Sequence, residues 1–436
     1  MTNAFNRDDL SGLSAQERRL IERRERVLGA AYRLFYERPV HFVRGEGIWL
    51  YDARGERYLD AYNNVVSIGH CHPKVVEAIG RQTAILNTHT RYLSEAILDY
   101  AEQLVSTFPD PLSQVMFTCT GSEANDLAVR IARHVTGGTG IIVTGLAYHG
   151  LTSTVAEFSP SLGEHVALGA HVRTVRAPDA YRASPAEIST RFGADVQAAI
   201  ADLKRHGIKP ALLIVDSIFS SDGVFAEPAG FLKPAVDAIR QAGGLFVADE
   251  VQPGFGRTGE ALWGFMRHGV QPDIVTVGKP MGNGYPIAGA IASPAVLDDF
   301  GRKARYFNTF GGNPVAIAAA SAVLDAVQGE RLQQNALEVG DYLRASIKAL
   351  QADHPTIGDV RGAGLFIGVE MVEDAATRAP SARLATRLVN GLRERRVLIS
   401  SAGPNANVLK IRPPLIFSKE NADTLIAALA DTLQSL

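Results

Sequence analysis

The spacing of hydrophobic and polar residues changes along the chain, and each spacing predicts a different kind of element. Between Val40 and Tyr62, apolar and polar residues alternate and are interrupted by glycine turns, which is typical of antiparallel strands. The preceding stretch, from roughly Ser11 to Tyr36, is rich in charge and predicts an amphipathic helix that forms a docked arm.

In the middle of the chain, short β-branched runs alternate with helical stretches. The runs are VMFT, IIVT, ALLIVD, LFVADEV and DIVTVG, and the first is followed by the helical segment SEANDLAVRIARHV. This alternation predicts an α/β fold in which helices cover both faces of a parallel sheet. After Asn313 the pattern predicts a long helix at IAAASAVLDAV, strands at GLFIGVEM and NVLKIRPPL, and a closing helix.

The two ends of the chain therefore differ from its middle, and 436 residues suit one large domain and one smaller domain. We predict that residues 66–325 form the large domain. Residues 1–65 supply an N-terminal arm and the first part of the small domain, and residues 326–436 complete it.

Composition limits the partners and the compartment. The 44 Lys and Arg residues nearly balance the 46 acidic residues, so we expect neither nucleic acid nor a membrane surface as a partner. No apolar run reaches the ~20 residues that span a bilayer, and the N-terminal segment is too charged for a signal peptide. Two cysteines are too few for a disulfide framework, so we expect a cytoplasmic protein.

Polar residues follow several of the predicted parallel strands, at the edge where open sheets bind ligands. They are Thr120, Gly121, Ser122, Tyr148, His149, Asp216, Asp249 and Lys279. No GxxxxGK[ST] loop and no strand-linked GxGxxG accompanies them, which removes the usual support for a nucleotide. No metal site is predicted.

Lys279 and Asp249 together indicate a chemistry that neither indicates alone. A single lysine at a strand end is more often solvated, and a single aspartate there is more often a cap or a loop carboxylate. Lys279, however, closes a buried-type strand, where a lowered amine pKa favours imine formation with an aldehyde. An electron-sink pyridine cofactor also needs an acidic partner for its ring nitrogen, and Asp249 lies at a neighbouring strand end.

The segment from Thr120 to Glu123 predicts the start of a helix. A capping box explains those two residues, but Gly121 and Ser122 also present small side chains and free N–H groups, which form an anion site suited to a phosphate. Tyr148, in LAYHG, can stack on a planar cofactor, although most tyrosines in such loops pack or face solvent.

The order and spacing of these motifs resemble the class III aminotransferase family. The likeness covers all but about the first 35 residues and includes VRGEGIWLYDARGERYLD, GHCHPKV, TGSEAND, AYHG, VADEVQPGFGRTG, DIVTVGKPMGNGYP, FNTFGGNP, RGAGLFIGVE and LKIRPPL. It implies pyridoxal-phosphate fold type I, with a large cofactor-binding domain built on a mainly parallel seven-stranded sheet. A smaller α+β domain is formed by both termini, and the cofactor is pyridoxal 5'-phosphate.

The resemblance also implies roles for individual residues around the cofactor ring. Lys279 carries the cofactor as a Schiff base and moves a proton, and Asp249 pairs with the ring nitrogen. Tyr148 stacks on the ring, and Gln252 lies near its 3-hydroxyl.

Further implied roles concern the phosphate, the partner subunit and the substrate. Gly121 and Ser122 bind the cofactor phosphate, and Thr309 reaches the phosphate of the neighbouring subunit, so a homodimer or larger assembly is implied. Arg412 matches the arginine that holds a substrate carboxylate. The glutamate that pairs with this arginine in ornithine and GABA enzymes aligns with Ser221, which leaves Arg412 unpaired and makes specificity for those substrates doubtful.

Three functions remain open from the sequence. The leading interpretation is an aminotransferase that moves an amino group from an amine or amino acid to a 2-oxo acid. The second is a phospho-lyase or ammonia-lyase acting on ethanolamine phosphate or a related amino alcohol phosphate, because YNNVVSIGHCHP, LNTHTRYL, SIFSSDGVF and GKPMGNG resemble a sub-branch that contains such enzymes. Arg412 slightly favours a carboxylate substrate, since animal phospho-lyases have lysine at the matching position. The third is a non-catalytic or nucleotide-binding α/β protein with a coincidental lysine.

Overall fold

A computed structural model describes residues 5–436 of the chain. The strands, in chain order, are β1 (Phe42–Glu46), β2 (Trp49–Asp52), β3 (Arg57–Asp60), β4 (Gln114–Thr118), β5 (Gly140–Thr144), β6 (Val172–Val175), β7 (Pro210–Asp216), β8 (Leu245–Asp249), β9 (Ile274–Val277), β10 (Ala288–Ala292), β11 (Ile357–Ala363), β12 (Phe366–Asp374), β13 (Ala379–Pro380), β14 (Val397–Leu398), β15 (Ser400–Ala402) and β16 (Val408–Ile411). The α-helices are α1 (Ala15–Leu28), α2 (Pro73–Thr83), α3 (Glu95–Val105), α4 (Gly121–Thr136), α5 (Ser153–Ala156), α6 (Pro185–Arg205), α7 (Lys233–Gln241), α8 (Pro294–Lys303), α9 (Pro314–Gly329), α10 (Leu332–Ala349), α11 (Ala382–Glu394) and α12 (Lys419–Gln434).

The central sheet has seven strands in the order β4-β10-β9-β8-β7-β5-β6. All of them are parallel except β10, which is antiparallel to both of its neighbours. Successive residues along these strands pack against different helices, because side chains alternate between the two faces of a sheet. Ile141 and Val143 of β5 share a core with α4, whereas Ile142 packs in the core that contains α6 and α7. The predicted α/β fold with a mainly parallel, two-sided sheet is confirmed.

Two smaller sheets combine strands from distant parts of the chain. In one, β1, β2 and β3 form the predicted antiparallel set, and β14 pairs with β3 in parallel. The amide of Leu59 donates to the carbonyl of Arg396 at 2.8 Å, so the N-terminal strands lie beside the C-terminal part of the chain. In the other, β11, β12, β16 and β15 are antiparallel neighbours, and β13 pairs with β12. The domain boundaries at residues 65 and 325 stay predictions.

The N-terminal helix is shorter than its charge pattern predicts. It begins after Ser14, which forms a capping box with Glu17, and it ends at Gly29, whose φ of 69° lies outside the helical region. Only Ile21 of this helix is buried, which agrees with an arm that rests on the protein surface. Within residues 5–436, no helix is long and apolar enough to cross a membrane.

Candidate active site

The carboxyl ends of the parallel strands surround a cavity of about 540 Å³. Neighbouring strands bring its polar residues together, because Asp216 of β7 is the register partner of Asp249 of β8, which in turn pairs with Thr276 of β9. Six of the residues to which the family resemblance gives a role line this cavity. They are Gly121, Ser122, Tyr148, Asp249, Gln252 and Lys279.

Lys279 follows β9 and lines the cavity beside an aromatic ring. Its Nζ lies 5.8 Å from the centroid of the Tyr148 ring. Burial lowers the pKa of Lys279, the nearby carboxylate of Asp249 opposes that shift, and the positive charge of Arg412 adds to it. A less basic amine is more often unprotonated, and the unprotonated amine is the form that attacks an aldehyde.

Asp249 is held by several donors. Its Oδ2 accepts from Nδ2 of Asn125 at 3.0 Å and lies 2.7 Å from Nδ1 of His149, while its Oδ1 accepts from the amide of Val251 at 3.0 Å. Thr276 fixes the orientation of Asn125, because its hydroxyl donates to Oδ1 of that amide at 2.6 Å. The buried carboxylate is therefore oriented before any ligand binds.

Sequence reasoning missed Asn125 and Thr276. The sequence contained a signal for Asn125, since it is a polar residue among the apolar positions of α4 that face the sheet. In the structure its side chain is fully buried. No such signal existed for Thr276, because threonine is ordinary in a β-strand and its contact with Asn125 joins elements 151 residues apart.

The start of α4 forms a small cradle. Thr120 caps the helix, and its capping-box partner Glu123 accepts from the amides of Cys119 and Thr120 at 2.7 and 3.1 Å. A Cβ built on Gly121 would come within 3.0 Å of Val251, so glycine keeps this space open. The free N–H groups of a helix start attract an anion, and the site therefore fits a phosphate.

The residues around the cavity fit pyridoxal 5'-phosphate as a whole. The helix start suits its phosphate, Tyr148 offers a ring for stacking, Asp249 suits a protonated ring nitrogen, and Lys279 suits its aldehyde. In addition, Nε2 of His149 is buried without a hydrogen-bond partner among the described residues, at the wall of the same cavity.

Gln252 connects the cavity wall to Arg412. Its Nε2 donates to Oγ of Ser220 at 2.5 Å, and its Oε1 accepts from Nη1 of Arg412. Arg412 also donates from Nε to the carbonyl of Tyr62 at 2.9 Å, and its guanidinium lies 4.3 Å from the centroid of that tyrosine ring. No described carboxylate takes the place of the glutamate that aligns with Ser221, but Arg412 is not free of hydrogen bonds. The buried guanidinium has partners, but those that bond it are neutral, so its charge is not cancelled by a hydrogen-bonded carboxylate.

Lys410 is another buried basic residue that the sequence did not single out. It lies two residues before Arg412 in the same strand region, and both cations face the Phe366 ring, at 5.4 and 5.8 Å from its centroid. The charges that act on Lys410 include those of Lys279 and Asp216, which line the cavity.

Thr309 does not line the cavity of its own subunit and is exposed on the surface. Several large apolar side chains are exposed beside Thr309 along the chain, in the segment between α2 and α3, and on α3 itself. They are Ile85, Leu86, Tyr92, Leu93, Leu98, Phe307 and Phe310. We term these side chains the apolar patch. Thr309 lies between Phe307 and Phe310 in the sequence.

The seven-stranded sheet and the cavity at its edge define the class of protein, because the fold is that of the solved fold type I aminotransferases it resembles. A model of "Aminotransferase class-III" matches residues 35–433. The chain belongs to the class III aminotransferase family, whose members are pyridoxal-phosphate-dependent enzymes.

Similar proteins carry names for two different reactions. An alanine–glyoxylate aminotransferase 2-like protein of Drosophila melanogaster is 41% identical, covering 95% of this chain and 87% of that protein. An ethanolamine-phosphate phospho-lyase homolog of Caenorhabditis elegans is 37% identical, covering 95% and 93%. A phospholyase from Arthrobacter, solved in complex with phosphoethanolamine, is 44% identical with a TM-score of 0.93, covering 96% and 100%. These relatives are enzymes, so we set aside the non-catalytic interpretation.

Proposed function

We propose that the protein is a pyridoxal-phosphate-dependent phospho-lyase that releases phosphate and ammonia from an amino alcohol phosphate such as ethanolamine phosphate. The observation that carries this proposal is the pair of buried cations Lys410 and Arg412, neither of which is hydrogen-bonded to a carboxylate within residues 5–436. A carboxylate carries one negative charge, whereas a phosphate monoester carries nearly two at neutral pH. Two basic groups without a hydrogen-bonded carboxylate therefore match the phosphate better than they match a carboxylate.

The position of the two cations supports the same substrate. Gly368 of β12 is the register partner of Lys410, and a Cβ built on it would meet Val224 and Val408 at 3.0 and 3.1 Å. The face of the sheet that carries Val408 and Lys410 therefore packs against the segment that follows β7. The last residue of β7, Asp216, lines the cavity. Similarity to the Arthrobacter phospholyase, at 44% identity, adds support from a protein solved with phosphoethanolamine.

The remaining site residues have separate tasks in this reaction. When bound, pyridoxal phosphate supplies an aldehyde that condenses with the substrate amine and a ring that takes up electrons. Lys279 removes the proton from Cα of the substrate, which its lowered pKa and its place in the cavity allow. Asp249 holds the proton on the ring nitrogen, and Gly121 and Ser122 hold the cofactor phosphate.

Amino transfer to a 2-oxo acid is the second candidate. One observation favours it: Arg412 reaches the cavity wall at Gln252, and a planar guanidinium binds a carboxylate through two parallel hydrogen bonds. The names of several relatives, including the Drosophila protein, agree with this reaction.

We also propose that the active unit is a homodimer. The apolar patch contains Leu93, which is fully exposed, and Phe310, which is 69% exposed. Large exposed apolar side chains that cluster in this way are typical of an interaction surface. A partner that covers the patch would place a second copy of Thr309 near the first cavity, as the family resemblance implies.

The two candidate reactions differ in their need for a 2-oxo acid, which only amino transfer requires. The purified holoenzyme is incubated with ethanolamine phosphate alone, and separately with alanine and a series of 2-oxo acids. We expect phosphate release in the first mixture and little amino transfer in the second. Amino transfer to an oxo acid, without phosphate release from either ethanolamine phosphate or phosphohydroxylysine, would overturn the proposed function in favour of the second candidate.

A further inference from the structure

Elimination of a phosphate monoester requires a proton as well as positive charge. When the Cβ–O bond breaks, its electron pair stays on the bridging oxygen, so a nearly dianionic monoester would leave with a third negative charge. A proton delivered to that oxygen prevents this, and a positioned general acid typically contributes about 10²–10⁴-fold in rate. The site must therefore contain a donor near the phosphate.

Most of the candidate donors are unsuitable. A guanidinium does not lose its proton in proteins, so Arg412 can bind the phosphate but cannot protonate it. Lys279 receives the proton of Cα and is occupied with that task. Burial, assisted by Asp249, raises the pKa of Tyr148, which makes its phenol a weaker acid.

Lys410 combines properties that these three groups lack. It is 7% exposed, and its backbone is paired in the sheet, but its Nζ forms neither a hydrogen bond nor an ion pair with another described residue, so the N–H donors of its side chain are available. It projects from β16 on the same side as Arg412, the cation best placed to hold the phosphate, and both pack on the Phe366 ring.

We propose that Lys410 is the general acid that protonates the departing phosphate, an inference that rests on the proposed phospho-lyase function. The Cα–H bond breaks, its proton passes to Lys279, and its electron pair forms the Cα=Cβ double bond. The Cβ–O bond breaks toward oxygen, which takes a proton from Nζ of Lys410, and phosphate leaves as the hydrogen phosphate dianion. Solvent returns a proton to Lys410, and addition of water to the released two-carbon product gives acetaldehyde and ammonia.

The electrostatic surroundings suit this role. Burial lowers the pKa of Lys410 well below its ordinary value, and the positive charges of Arg412 and Lys279 lower it further. The carboxyl groups of Asp216 and Asp222 act in the opposite direction and favour the protonated form of Lys410. An ammonium whose pKa is lowered is a stronger acid than an ordinary lysine.

Two substitutions separate proton donation from charge. Lys410→Arg keeps a full positive charge but cannot donate a proton, whereas Lys410→Met loses both. Binding is measured by calorimetry on the holoenzyme with 3-aminopropylphosphonate, in which a carbon replaces the bridging oxygen so that no elimination occurs. We expect Lys410→Arg to change this Kd by less than about threefold and Lys410→Met to raise it by more than about tenfold. The matched control is Lys419→Arg, at an exposed lysine that begins α12.

The rate of phosphate release gives the decisive comparison. We expect kcat for ethanolamine phosphate to fall by about 10²-fold or more in Lys410→Arg, and the decline of the wild-type rate at alkaline pH to disappear. A Lys410→Arg enzyme with wild-type kcat would overturn the proposal, as would a loss of phosphonate affinity as large as the loss of rate. A wild-type enzyme that releases no phosphate would instead overturn the proposed function together with this inference.

Discussion

Individual residues at the cavity have roles that follow from their hydrogen bonds. The carboxylate of Asp249 contacts Asn125, His149 and Val251, and each contact helps to fix its position. We expect Asp249→Asn to slow exchange of the substrate Cα proton by orders of magnitude while the cofactor phosphate remains bound, because an amide cannot hold a proton on the ring nitrogen. Exchange is followed by NMR in deuterated water, and retained cofactor by absorbance after dialysis.

Asp216 offers a matched control for that substitution. It lines the same cavity and is the register partner of Asp249, but its own carboxylate accepts from the amides of Ile218 and Ser220 in its own loop. Asp216→Asn should therefore slow Cα exchange much less. Equal losses of exchange in the two variants, or equal losses of binding and exchange in Asp249→Asn, would show that Asp249 is merely structural.

The residues that sequence reasoning could find are those that follow a strand or begin a helix. Lys279 and Asp249 end buried runs, so the rule that ligands bind at strand ends was sufficient to bring them together. Lys410 lies inside a strand of a different sheet, and its neighbours Asp216 and Lys279 are 194 and 131 residues away in sequence. Local sequence patterns contain no information about which distant residues lie near one another in the fold.

At the scale of elements, the junction between the start of α4 and the loop after β5 decides whether the phosphate cradle forms. Oγ of Ser122 accepts from the amide of Leu151 at 3.1 Å, and a Cβ built on Gly150 would collide with Ser122. We expect Gly150→Ala to displace Ser122 and weaken cofactor affinity by about tenfold or more, the scale of one charge-assisted hydrogen bond. The dissociation constant of the cofactor is measured by titration of the apoenzyme.

Gly163 provides the control for backbone strain. Both glycines have positive φ, 141° at Gly150 and 99° at Gly163, but a Cβ at Gly163 would meet nothing within 4 Å. Both alanine variants should lose some free energy of unfolding, because alanine is strained at positive φ. Cofactor affinity should fall only in Gly150→Ala, and an equal fall in both variants would contradict the role given to this junction.

Element types were predictable where the periodicity was long and regular, and less so at their ends. The parallel runs became β4, β5, β7, β8 and β9 as expected, because each combines β-branched residues with a following turn. The N-terminal helix was predicted too long because charge persists past Gly29, whereas the helix ends there for a backbone reason.

At the scale of the whole molecule, the apolar patch should decide the state of assembly. Leu93 is fully exposed in the single chain, so an aspartate there should prevent a partner from covering the patch. We expect Leu93→Asp to sediment as a monomer with little activity and the wild type to sediment as a dimer. Val27→Asp, at an apolar residue of α1 that is also well exposed, at 72%, should remain dimeric.

Activity and assembly must change together for this interpretation to hold. A wild-type enzyme that is fully active as a monomer at its assay concentration would contradict the dimer and the role of Thr309. The cytoplasmic location expected from the composition stays a prediction.

The stoichiometry of phosphate release without an amino acceptor tests the phospho-lyase proposal most directly. Holoenzyme at known concentration is mixed with excess ethanolamine phosphate, free of any 2-oxo acid, and phosphate is counted per subunit over time. A lyase regenerates its cofactor in each cycle, so we expect many phosphates per subunit, matched by equal amounts of ammonia and acetaldehyde. An enzyme that transfers one amino group per subunit to its cofactor and then stops, with no phosphate released, would contradict the proposed function.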